Sequence, residues 1–394
     1  MIKPILFCLS LLWAGISPCQ ADGFRIQGKI SGGGEGVKVY LTDLSQTRRV
    51  YDSTVIHHGE FLFQGKVEKP EIRCITINKD PQADNLWKVL VKLPLFVENS
   101  DILITAPYDS LPVRQDDAVR SCVRIDGSAS HDLYVEYQKG LAPLSKANSE
   151  WFETYRKAYY YARKDQFGRR DVKPSFAALE KLERCKDDIY KYKVDFIQQH
   201  SDSPVAFYVA GTVALTKYGR PEIERFVASW PEEWRNSEAG KKLIERYRKI
   251  PVYTGDPYID VEVLNREGKI VKLSDVICPG RYTLLELWAS WCGPCRSEIP
   301  HLKDSYAGFC DLGFDIVSVS IDADKKKWKK AVEQENMPWL QLCDRGEGFD
   351  SFIAKAYGVR GVPSSFLIDP EGKIILLNAR GGWLDSKLSE LLGE

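Results

Sequence analysis

The chain has 394 residues, with 55 Lys+Arg against 55 Asp+Glu and a formal net charge of zero. That balance argues against a globally basic nucleic-acid binder and against an acidic-tail protein; 44% hydrophobic and 28% charged residues argue against disorder. At roughly 100–200 residues per domain the length fits two or three domains, and ten cysteines in such a length are too few for a disulfide-framework miniprotein.

Lys3 precedes an apolar run from Ile5 to Ile16, followed by Ser17-Pro-Cys-Gln-Ala21 and the polar Asp22-Gly23. This is the charge, apolar core and small-residue order of a secretory signal spanning 1–21. The run is too short to span a bilayer comfortably, and no later segment reads as transmembrane. A rival reading makes Cys19 a lipidated first residue, although Pro18 directly before it fits poorly. The expected location is the periplasm or cell envelope, where disulfides persist.

Residues 22–129 read as a β-rich domain, a small antiparallel sandwich or barrel. Phe24–Ile30 alternates apolar and polar residues, glycines cluster at 32–36, and 52–56, 57–59 and 60–64 read as strand, turn, strand. Residues 95–99 and 101–105 read as another hairpin. From 130 to 250 the pattern turns helical, with Trp151–Tyr161 and the spacing of Ile189, Tyr192 and Phe196 marking packed faces. Ser203-Pro204 and Arg220-Pro221 read as helix starts with proline just inside. A Pro- and Gly-containing linker runs from Pro251 to Pro257. The remainder, 251–394, reads as an α/β domain with near-continuous apolar strands at 282–288, 314–320, 364–369 and 374–377, alternating with helices at 294–309, 324–336, 348–357 and 384–392.

The chemistry concentrates in Trp288-Ala-Ser-Trp-Cys-Gly-Pro-Cys-Arg-Ser-Glu-Ile-Pro300, at the carboxyl end of a predicted buried strand and the start of a helix. Cysteines at this spacing can close a disulfide within one helical turn. Cys292 would sit at the helix N-terminus, where unpaired N–H groups and the macrodipole favour a thiolate; only the thiolate attacks a disulfide. Cys295, one turn in, would be more buried and protonated. The physics therefore assigns Cys292 as nucleophile and Cys295 as resolving thiol. Half of a zinc site is the competing reading, but no second Cys/His pair lies at short spacing; His301 stands alone. No metal and no cofactor are expected. Arg296 and Glu298 read as ordinary first-turn residues, Trp288 as core, and Trp291 as a cover for the disulfide edge. Cys74, Cys122, Cys185, Cys278, Cys310 and Cys343 read as small buried side chains, with bridges among them left open.

With Gly361-Val-Pro363 downstream, Trp-Cys-Gly-Pro-Cys after a strand resembles the thioredoxin superfamily, and Leu284–Pro300 looks most like its TlpA/ResA-like envelope branch. The resemblance covers about residues 255–394; residues 24–107 more weakly resemble the small β-domain of uncharacterised function that often precedes such a domain. It implies a thioredoxin-like fold and a cis Val362-Pro363 bond whose backbone pairs with an extended substrate beside Cys292. It also implies a role for Glu286, a lone acid inside an apolar strand, whose raised pKa would let it take the Cys295 proton. Trp291, Gly293, Pro294, Val362 and Pro363 are the expected substrate-side residues, and Pro300 resembles the family's helix-kinking proline.

The leading expectation is an exported thiol–disulfide oxidoreductase that reduces protein disulfides, since Gly-Pro between the cysteines resembles reducing members. Its expected partners are disulfide-bonded clients, apocytochromes of cytochrome c maturation among them, and a membrane thiol-electron donor, with no nucleic acid; the N-terminal part is a candidate for homodimer formation. A thiol peroxidase is the first alternative, but Ala289-Ser-Trp291 lacks the threonine such enzymes keep before the attacking cysteine. A partner-binding envelope protein with a secondary redox domain is the other.

Overall fold

The computed structural model describes residues 22–44, 49–80, 90–111, 122–161 and 171–393. The expected signal, with Cys8 and Cys19, lies outside the described residues. Two compact units emerge, one drawn from Met1–Gln138 and Ser203–Tyr208, the other from Lys139–Asp202 and Val209–Glu394. Among the described residues no helix is long and apolar enough to cross a membrane.

The first unit is a pair of four-stranded sheets. One has the order β4 (Glu60–Gly65), β1 (Phe24–Ser31), β7 (Asp101–Pro107), β8 (Arg124–Asp126); the other has the order β3 (Val50–Val55), β2 (Lys38–Thr42), β5 (Glu71–Asn78), β6 (Leu90–Val97). Strict alternation along β1 sends Phe24, Ile26 and Ile30 inward, where they meet Val39, Leu41, Ile75, Ile77 and Leu95 in one core. Gly28 faces the same way, and a Cβ there would lie 1.9 Å from the Phe61 ring opposite it, so glycine makes room for the aromatic.

Two expected hairpins are overturned. Strand β3 pairs with β2 and β4 with β1, joined only by a His57–Glu60 bridge, so residues 57–59 carry the chain from one sheet to the other. His58 (φ 50) and Gly59 (φ 75) supply the left-handed backbone for that corner. Likewise β6 pairs with β5 and β7 with β1. Local sequence announces a strand, a turn and a strand; which sheet each strand joins depends on partners elsewhere in the chain. The β1–β7 pair is parallel, unlike its neighbours.

The second unit packs helices with a seven-stranded mixed sheet. Its order is β10 (Ile270–Lys272), β9 (Glu262–Leu264), β13 (Leu340–Asp344), β12 (Phe314–Ser320), β11 (Tyr282–Trp288), β14 (Ser364–Ile368), β15 (Ile374–Leu377). Helix α1 (Ala129–Tyr160) leads into this unit. It is followed by α2 (Phe176–Gln199), by α3 (Pro204–Ala210), most of which belongs to the first unit, and then by α4 (Arg220–Ala228), α5 (Glu232–Asn236), α6 (Glu238–Arg248), α7 (Gly293–Phe309), α8 (Lys325–Glu335), α9 (Phe352–Tyr357) and α10 (Gly381–Leu392). Strands β11 and β12 are buried along nearly their whole length, as parallel neighbours covered on both faces must be.

The aromatic stripe of α1 has a structural use. Tyr155 and Tyr159 are buried with Trp383 against them; the Tyr155 hydroxyl accepts the Gly382 N–H at 3.1 Å, and Trp383 Nε1 donates to Glu183 of α2 at 3.0 Å. The expected linker is likewise built in. Val252 and Tyr253 are buried, and Gly255 and Asp256 exchange backbone hydrogen bonds with Ile374 of β15 at 2.8 Å each.

Candidate active site

Strand β11 delivers Trp288 to the core, where it is 1% exposed, and the chain then turns through Ala289-Ser290-Trp291 into α7. The turn is pinned from below. Asp322, buried after β12, accepts the Ser290 N–H at 2.8 Å, the Ser290 hydroxyl at 2.7 Å and the Ser320 hydroxyl at 2.6 Å. Replacing Asp322 with alanine leaves these donors unmatched. We expect a loss of about 1–3 kcal/mol in denaturant unfolding and slower alkylation of reduced Cys292, read by mass spectrometry.

Cys292 is the N-cap of α7 and is disulfide-bonded to Cys295. Its Sγ accepts the Cys295 N–H at 3.2 Å, the helix-terminal donor that stabilises negative charge on sulfur. On the other side Sγ lies 3.5 Å from the Val362 carbonyl oxygen, and the Val362-Pro363 peptide is cis. Gly293, Pro294 and Trp291 are exposed around the pair, Trp291 by 59%, with the Phe349 ring 6.4 Å from its own. Cys292 itself is only 4% exposed and Cys295 not at all, so the sulfurs sit below a rim of exposed backbone and aromatic surface. The structure thus brings together Trp291, Cys292, Gly293, Pro294, Cys295, Val362 and Pro363.

Glu286 occupies the middle of β11, 3% exposed. Burial pushes its carboxyl up to about 7, opposed by a 2.5 Å hydrogen bond from the Ser318 hydroxyl. Trp339 donates its Nε1–H to the same Ser318 oxygen at 2.8 Å, and its ring packs 5.6 Å from Tyr306 of α7. Glu286 and Ser318 are register partners, so both lie on the sheet face that α7 covers.

Glu298 corrects an expectation. It is mostly buried, and its carboxylate accepts the Gly381 N–H at 3.0 Å and the Arg380 guanidinium at 3.3 Å. His301 Nδ1 lies 3.2 Å from it, in an ion pair bent away from ideal hydrogen-bond geometry; His301 Nε2 meets Asp385 at 2.9 Å. Ser305 donates to Asp385 at 2.9 Å. It stands in the second turn of α7 rather than the first, and it faces α10, which lies over eighty positions later and leaves no local signal. Arg296, in contrast, reaches outward and pairs with Glu335 of α8 at 2.6 Å. Of the six cysteines read as small buried side chains, Cys74 and Cys343 are buried, whereas Cys122, Cys185 and Cys310 are half-buried and Cys278 is exposed, so the expectation fails for these four.

Residues 254–376 match the AhpC/TSA family and residues 24–134 match a domain of unknown function, DUF4369. The thiol-disulfide oxidoreductase ResA of Bacillus thuringiensis subsp. konkukian is 34% identical over 113 residues, which are 29% of this chain and 62% of that protein. ResA of Bacillus subtilis is 32% identical over 108 residues, 27% of this chain and 57% of that protein. The chain therefore spans less than two thirds of these relatives. Among solved structures, the thioredoxin domain of a thiol-disulfide oxidoreductase from Bacteroides vulgatus is 32% identical, with a TM-score of 0.33, covering 36% of this chain and 99% of that one. A thiol-disulfide oxidoreductase from Bacteroides fragilis is 30% identical, with a TM-score of 0.33, covering 35% and 100%. The C-terminal part of the chain is thus an AhpC/TSA-family, thioredoxin-like domain related to the ResA thiol-disulfide oxidoreductases, preceded by an N-terminal DUF4369 domain.

Proposed function

We propose that this chain is an exported thiol–disulfide oxidoreductase that reduces protein disulfides in the periplasm or cell envelope through the Cys292–Cys295 dithiol. One observation carries the reading: Cys292 Sγ is held between a helix-terminal N–H and the Val362 carbonyl beside a cis-proline loop. In the reduced enzyme Cys292 attacks a client disulfide as thiolate, with the client segment extended along Val362-Pro363 and against Trp291. A mixed disulfide forms and one client thiolate leaves. Cys295 gives its proton to Glu286 and attacks Cys292 Sγ; the Cys292–Cys295 bond forms and the second client thiolate leaves. A membrane thiol donor then returns two electrons. The clients fit apocytochromes or misoxidised envelope proteins, with residues 22–129 and 130–250 serving to recognise them or to pair two copies. Export would use residues 1–21, with Cys19 as the lipid-bearing alternative.

The residue before Trp291 is Ser290 rather than threonine, and its hydroxyl proton is spent on Asp322, which weighs against a peroxidase. Cys292→Ser should abolish insulin reduction, and Cys295→Ser should accumulate a client mixed disulfide on a non-reducing gel. Unchanged insulin reduction in both variants overturns the proposal, and peroxide consumption at rates above disulfide reduction transfers it to the peroxidase. Equilibration of the pair against glutathione fixes the direction of electron flow; a potential near that of a strong oxidant reverses it.

A further inference from the structure

The polar residues flanking Glu286 form a row across the sheet. Ser318 of β12 is in register with Glu286 on one side and with Gln341 of β13 on the other; Ser365 of β14 is in register with Glu286 from the opposite side. Neighbouring strands stand about 4.8 Å apart, so side chains in register on one face reach each other. Ser365 has its own partner, donating to the Ala379 carbonyl at 2.9 Å. Gln341 has none: it is 4% exposed, and neither its amide oxygen nor its amide nitrogen is hydrogen-bonded to the protein. A buried side chain with two unmet polar groups is rare enough to need a reason.

Resting on the assignment of Glu286 as proton acceptor, we propose that Ser318 and Gln341 are positioning residues for it, a hydroxyl–amide pair that reverses its hydrogen-bond direction as the carboxyl gains and loses a proton. The Ser318 hydroxyl keeps a full set of partners in both states, and the Gln341 amide oxygen gains one in the second. With Glu286 ionised, the Ser318 hydroxyl donates to Oε2 while its oxygen accepts from Trp339 Nε1. When Cys295 transfers its proton, the new Glu286 O–H donates to the second lone pair of Ser318, and the Ser318 proton turns to the Gln341 amide oxygen. Trp339 fixes the oxygen throughout. Once the disulfide has closed the proton passes to solvent, which returns the row to the arrangement seen in the disulfide-bonded structure, with Ser318 donating to Oε2 and Gln341 unpaired. The charged groups that bear on Glu286 are Glu298 of α7 and Arg380 ahead of α10, which contact each other at 3.3 Å and act in opposite senses.

Stopped-flow reaction of the full-length reduced chain with 5,5′-dithiobis(2-nitrobenzoate) tests this. Cys278 is exposed and reacts as well, so Cys295→Ser sets the background, and the release lost in that variant reports attack of Cys295 on the Cys292 mixed disulfide. Ser318→Ala removes the donor to the carboxylate, so the pH midpoint of that release should rise by about one unit or more. Ser318→Thr keeps the hydroxyl and should restore the midpoint. Gln341→Met removes the acceptor that serves the protonated state, so its midpoint should fall. Opposite signs are the signature; a structural role alone lowers amplitude or rate in both without separating them. Midpoints that stay within 0.2 units of wild type, or move the same way, overturn the inference. If Glu286→Gln itself leaves the pH profile unchanged, the assignment of Glu286 fails instead. Should Gln341→Met fail to fold, the Ala and Thr pair at 318 decides alone.

Discussion

Replacing Asp385 with alanine should lower the unfolding free energy by about 3–5 kcal/mol, because it strips one carboxylate from a buried imidazolium. Asp385 and His301 are 7% exposed each, and Asp385 accepts from both His301 Nε2 and Ser305. Burial alone pulls the His301 pKa down; the hydrogen bond to Asp385 and the neighbouring Glu298 carboxylate outweigh it and raise it to about 9. For Glu298, burial alone pushes up, but His301, Arg380 and the Gly381 N–H hold it at about 2. The two groups give opposite pH dependences. His301 contributes stability that is full below its ordinary 6.5 and is lost as pH rises through about 9. Glu298 contributes stability that is full above its ordinary 4.5 and is lost as pH falls through about 2. Denaturant titrations should therefore show wild type declining between pH 6.5 and 9, with that decline much reduced in Asp385→Ala. A variant as stable as wild type at pH 6, or one that keeps the full alkaline decline, would show that His301 is not charged in the fold. The same cluster ties α7, which carries the cysteines, to α10, so the damage should reach the active-site helix.

How much of this was legible beforehand differs by element. Strands 282–288 and 314–320 and the helix after Cys292 could be read because each carries its own signal: an unbroken apolar run, or a start defined by Cys-Gly-Pro. Glu286 could be read as buried because Leu284, Leu285, Leu287 and Trp288 around it in β11 are all apolar. Its surroundings could not. Strand β13 passes unnoticed in Pro338-Trp-Leu-Gln-Leu-Cys-Asp344, too short and mixed for period counting, yet it supplies Gln341 and follows Trp339, both beside Ser318. Asp322 and Glu298 failed to stand out for a related reason. Each is an acid at an ordinary loop or early-helix position, and only tertiary contact with Ser290 or with α10 takes it out of water. In the N-terminal unit the period-2 pattern identified strands correctly while misjoining them, because alternation specifies a face and not a neighbour.

Glu286→Gln should slow resolution of the mixed disulfide by about 10²-fold or more, the usual contribution of a positioned base, while leaving the first attack by Cys292 nearly intact. The amide keeps the shape of the side chain and can still accept from Ser318, so packing changes little. What disappears is a site for the Cys295 proton in an interior where that thiol is fully buried. The wild-type resolution rate should climb as pH rises through about 7, where burial has moved the Glu286 carboxyl and where it becomes free to accept a proton. The Gln variant should lose that rise and respond only at the higher pH where the thiol ionises unaided. Stability moves the opposite way. A carboxyl raised in the fold contributes stability that is full below its ordinary 4.5 and is lost as pH rises through about 7, because the folded state must then hold a buried charge. Glu286→Gln should consequently be more stable than wild type at pH 8, by a few kcal/mol at most, and close to it at pH 4. An enzyme that is slower at resolution and sturdier in alkali is the pairing expected when a buried acid is kept for chemistry at the expense of the fold. Equal resolution rates with unequal stability would leave Glu286 a structural residue and require another acceptor for the Cys295 proton.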